Sequence, residues 1–86
     1  MTDLLSLTAE LVAMTSVSFE EAPFVDWLEG ELKTLEHLEV TRVGDNLIAR
    51  TDLGRDQRLM LAGHTDTVPV NGNAVPRLEG DVLWGL

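Results

Sequence analysis

The chain of 86 residues carries 15 acidic against 6 basic side chains, a net charge of −9. That balance excludes a nucleic-acid binder, which needs dense Lys and Arg against phosphate, and a protein docked on anionic lipid; it suits a cation site, because negative surroundings draw divalent ions. Cysteine is absent, and so short a chain can enclose only a thin core.

Residues 3–14 are expected to form a first helix. Leu4, Leu7, Leu11 and Met14 recur at steps of three and four, and Asp3 is placed to cap the N-terminus. The hydroxyl-rich stretch Thr15-Ser16-Val17-Ser18 should end it. Ser18 with Glu21 three residues on reads as a capping box for a second helix, with Pro23 moving its start towards Glu20 or Glu21. Ala22, Val25, Leu28, Leu32 and Leu35 mark its inner face. Glu29, Glu31, Glu36 and Glu39 read as a solvated charge run.

From Leu38 the spacing changes to two, the period of a strand. Gly44-Asp45-Asn46 is a turn signal, and residues 46–51 make the return strand of a hairpin. The apolar run in 58–63, Leu59-Met60-Leu61-Ala62, is far too short to span a bilayer and reads as a strand buried on both faces. Residues 70–75 read as loop, and 77–84 as a small hairpin turning at Glu79-Gly80-Asp81. Met1-Thr2-Asp3 carries no basic leader signal, and with the missing cysteine this points to the cytoplasm.

Chemistry concentrates in Gly63-His64-Thr65-Asp66-Thr67-Val68-Pro69. His64 follows the apolar run, and residues two apart in extended backbone face the same side, so His64 and Asp66 can converge. A ligating imidazole usually donates its second N–H to a carboxylate, which makes His64 a candidate metal ligand and Asp66 its orienting partner. The bare pair arises by chance in roughly one chain in six of this composition, and the bland alternative is a strand-end His bonded to a turn Asp. The other histidine, His37, reads as a solvated linker residue. Trp27 and Trp84 read as packing residues and Arg77 as a surface hairpin residue.

The longer string sharpens the reading. Leu59-Met60-Leu61-Ala62-Gly63 followed by His64-Thr65-Asp66-Thr67-Val68-Pro69 resembles the first metal-site motif of the di-zinc metallopeptidase and aminoacylase family. The Ser-Val-Ser turn, the acidic second helix and Asn46-Leu47-Ile48-Ala49-Arg50 are similar to that family's N-terminal region. Ala49-Arg50-Thr51 and Leu83-Trp84-Gly85 look most like its actinobacterial desuccinylase branch. The resemblance implies an α/β fold: the N-terminal part, residues 1–86, of a zinc-exopeptidase-like catalytic domain, two helices and then a mixed β-sheet, left incomplete. It implies that His64 binds one of two zinc (or cobalt) ions and that Asp66 is the catalytic residue orienting it. The activated water would attack the amide of a small N-acyl amino acid. The general-base Glu, the remaining ligands and the lid or dimerisation domain have no counterpart in these residues, so the isolated chain is expected to be inactive. Homo-oligomers are expected, because a partial domain exposes apolar surface. Alternatives are a deacetylase or carboxypeptidase of the same family, and a non-catalytic acidic interaction module.

Overall fold

The computed structural model describes residues 3–86; the leader reading made on Met1 and Thr2 lies outside them. Its elements run α1 (Leu4–Ala13), α2 (Ala22–Lys33), β1 (Glu39–Val43), β2 (Asn46–Arg50), β3 (Arg77–Glu79) and β4 (Val82–Trp84).

Helix α1 forms as its spacing predicts. Asp3 is the N-cap, and its carboxylate accepts from the Ser6 amide at 3.1 Å, satisfying a donor that the first turn leaves free. Leu4 points outward, whereas Leu7, Leu11 and Met14 are half-buried. Helix α2 begins at Ala22, and Pro23 sits in its first turn, where a missing N–H costs nothing. The capping box does not form: Glu21 holds the cap position without a side-chain bond, and the Ser18 hydroxyl turns instead to a partner far along the chain.

Strands β1 and β2 pair antiparallel with Val43 opposite Asn46. The two-residue connection places Gly44 at φ +62°, the left-handed region that a primed hairpin turn requires and that glycine enters freely. Helix α2 lies across this hairpin. Val25, on the inner face of α2, is the one fully buried hydrophobic side chain among the described residues. Strands β3 and β4 form the second hairpin, turning at Gly80 (φ +61°) as the sequence indicates.

Arg42 fastens α2 to β1. It pairs with Asp26, with Glu29 at 3.3 Å and with Asp45 at 3.0 Å, and its Nε donates to the Gly44 carbonyl at 2.7 Å. Glu29 therefore does not belong to the solvated charge run; it also meets Lys33 at 3.1 Å. Lys33 first, and then Arg42, hold the Glu29 carboxyl below the ordinary carboxylate range, against partial desolvation. A carboxyl held low in the folded chain adds stability above its unfolded pKa and loses it as pH falls through the folded value. The melting temperature is expected to hold between about pH 5 and 7 and to fall below about pH 4. Glu29→Gln should flatten that fall; an unchanged acid profile in a thermal scan would contradict the assignment.

The sheet is where sequence and structure part. The two hairpins are separate two-stranded antiparallel sheets, and the one parallel pairing is an isolated bridge, Val17 to Thr67. No mixed sheet forms among the described residues. Residues 58–63 are neither buried nor laddered: Leu59, Met60 and Leu61 are 85%, 82% and 89% exposed. Apolar content marks a segment fit for burial, but a strand exists only where another backbone answers its N–H and C=O groups. None of the described segments does so. The radius of gyration agrees, 15.0 Å against about 12 Å for a compact chain of this length.

Candidate metal-ligand site

Two short stretches build the site. Residues 16–18 run alongside Thr67: the Thr67 amide donates to the Ser16 carbonyl at 2.9 Å, and the Ser18 amide to the Thr67 carbonyl at 3.0 Å. This bridge fixes the backbone on the far side of Asp66. The segment from His64 to Asp66 then brings the two side chains into contact.

The His64 Nδ1 lies 3.1 Å from Asp66 Oδ1 and 2.9 Å from the Asp66 carbonyl oxygen. Both neighbours are acceptors, so Nδ1 carries a proton, and in the neutral ring the lone pair sits on Nε2. Nε2 has no hydrogen-bond partner among the described residues, and the ring is 82% exposed. The arrangement presents one neutral imidazole nitrogen outward on a fixed ring, the form in which histidine binds metal ions.

Asp66 is anchored on its other oxygen. The Ser18 hydroxyl donates to Oδ2 at 2.5 Å. That bond, more than the contact with His64, holds the Asp66 carboxyl below the ordinary range, against some loss of solvent. Ser18 was the residue that sequence reasoning misassigned. Its signal was the hydroxyl itself, but the nearby Glu21 suggested a local partner.

A cleft of about 440 Å³ opens beside the pair, bordered by Glu21, Asp45, Leu28, Leu32 and Leu61. Glu21 Oε2 is buried without a hydrogen-bond partner. Even so, no three His, Cys, Asp or Glu side chains among the described residues stand together to hold a metal ion. The residues fit one ligand position and not a closed centre, since a catalytic zinc takes three protein ligands. His37 is exposed in the turn between α2 and β1. Trp84 is half-exposed beneath the Arg77 guanidinium, 5.7 Å from the ring centroid, and Arg77 also meets Glu79 at 3.4 Å. No helix among the described residues is long and apolar enough to cross a membrane.

No family model matches the chain. Individual proteins do. It is 44% identical over 84 residues to a protein of Mycobacterium tuberculosis named as a succinyl-diaminopimelate desuccinylase, covering 96% of this chain and 24% of the relative. It is 40% identical over 85 residues to the succinyl-diaminopimelate desuccinylase of Corynebacterium glutamicum, covering 96% and 23%. That of Xanthomonas oryzae is 36% identical over 96 residues, covering 99% and 25%. Along almost its whole length the chain is homologous to succinyl-diaminopimelate desuccinylases. It spans about a quarter of the length of the curated relatives it matches.

Proposed function

We propose that these residues are part of the catalytic domain of a metal-dependent amide hydrolase, a succinyl-diaminopimelate desuccinylase. It would release succinate and diaminopimelate from the N-succinyl compound in lysine biosynthesis. The supporting observation is the ring of His64, held at Nδ1 by Asp66 and open at Nε2, within a chain homologous to desuccinylases. His64 would serve as one zinc ligand and Asp66 would orient it; bound metal would supply Lewis acidity and an activated water. The residues themselves do something narrower: they fix a tautomer, keep Nε2 clear and line a cleft with negative charge. The remaining ligands, the general base and any lid domain would come from sequence outside these 86 residues. The protein would act in the cytoplasm on a small N-acyl amino acid, and its exposed apolar run would meet further protein, including a second copy.

The test is a graft. The 86 residues replace the matching segment of the Corynebacterium glutamicum desuccinylase, and succinate release is followed with and without zinc. The graft is expected to turn over with zinc and the isolated chain to release nothing. A folded, zinc-loaded graft without succinate release, or turnover by the isolated chain, would contradict the proposal. An acidic interaction module would give the first result.

A further inference from the structure

The tightest side-chain bond at the site is made by a residue that lies neither in the His64–Asp66 motif nor near it in sequence. Ser18 Oγ is 2.5 Å from Asp66 Oδ2 and 3.3 Å from the Thr67 carbonyl. A hydroxyl has one proton to give, and the shorter, charge-assisted bond to the carboxylate takes it. Oδ2 is thereby committed, and Oδ1 remains for His64 at 3.1 Å.

Backbone geometry delivers Ser18 there. Residues 17–20 form a turn closed by the Glu20 amide on the Val17 carbonyl at 2.8 Å, with Phe19 in its third position at φ +72°. That position favours glycine, and a bulky residue there is strained. Phe19 is 99% exposed, so no packing of its ring holds it. Strain of this kind persists only where the surroundings over-determine it. Here the determinants lie just before Phe19: the two Thr67 backbone bonds to Ser16 and Ser18 and the Ser18–Asp66 bond.

We propose that Ser18 is a positioning residue: its hydroxyl clamps the Asp66 carboxylate so that the free oxygen fixes the His64 imidazole with Nδ1 protonated and Nε2 open. The proposal rests on the reading of His64 as a ligand, yet its first readout needs no metal. In the chain labelled with nitrogen-15 at its histidines, ring spectra at about pH 8, where imidazole is neutral, give each tautomer. His37, with no ring hydrogen bond among the described residues, is the internal reference.

The unsubstituted chain is expected to hold His64 in the Nδ1–H form. Ser18→Ala should move its tautomer ratio towards that of His37, and Ser18→Thr, which keeps the hydroxyl, should restore it. Exchange protection of the Thr67 amide reports whether the bridge survives and should be unchanged in both. In the desuccinylase graft, Ser18→Ala should weaken zinc binding about 10- to 100-fold, the usual loss when a ligand's supporting partner goes. An unchanged tautomer in Ser18→Ala would overturn the proposal. So would loss of Thr67 protection along with the tautomer, which would make Ser18 merely structural. Failure of wild-type His64 to take zinc would instead sink the functional reading and leave the tautomer result standing.

Discussion

In the zinc-loaded graft, His64→Ala should reduce the bound zinc from two ions to one and lower succinate release by at least about 100-fold, no less than the loss of a ligand's supporting partner costs. Nε2 is the free ring nitrogen of His64, because Nδ1 is engaged by the Asp66 carbonyl and carboxylate. Removing the ring removes that nitrogen, and no cluster of three candidate ligands stands among the described residues to take its place. Asp66→Asn should behave differently. It leaves the ring in place but exchanges a carboxylate acceptor for an amide, so zinc occupancy returns at high metal concentration while affinity falls about 10- to 100-fold. Metal analysis and initial rates on the two variants separate a ligand from its orienting partner. Equal behaviour of the two would contradict the division of roles.

Val25→Ala is expected to be the most damaging single change to the fold. Val25 is fully buried on α2, the helix that lies across the β1–β2 hairpin. Removing two methyl groups costs their transfer energy plus a share for the cavity, about 2 kcal/mol. In a domain this small that corresponds to a drop of about 8–16 °C in melting temperature. Leu4→Ala, on a residue 78% exposed, provides the control and should move the midpoint little. A calorimetric scan in which both substitutions cost the same would show that α2 is not the anchor of the fold.

Local structure was legible in the sequence wherever its cause is local. The 3.6-residue spacing of α1 and α2, the Asp3 cap and the glycine turns at Gly44 and Gly80 depend on residues within a few positions of one another. The His64–Asp66 contact was legible for the same reason, since the two residues lie two positions apart. Features that depend on distant partners were not. The Leu59–Ala62 run has strand composition but no answering ladder. Ser18 has a capping motif beside it but spends its hydroxyl 48 residues away. Arg42 gathers Asp26 and Glu29 from α2 and Asp45 from the β1–β2 turn, which no periodicity announces. For Ser18 the local reading was sound chemistry and a long-range contact displaced it; the Leu59–Ala62 run lacks, among the described residues, the long-range partner its composition calls for.

Ring nitrogen spectra of the histidine-labelled chain under zinc titration read the site most directly. Zinc should perturb Nε2 of His64 while Nδ1 keeps its proton, and His37 should respond only weakly. Perturbation at Nδ1, or a response at His37 equal to that at His64, would contradict the presentation of this imidazole as a metal ligand.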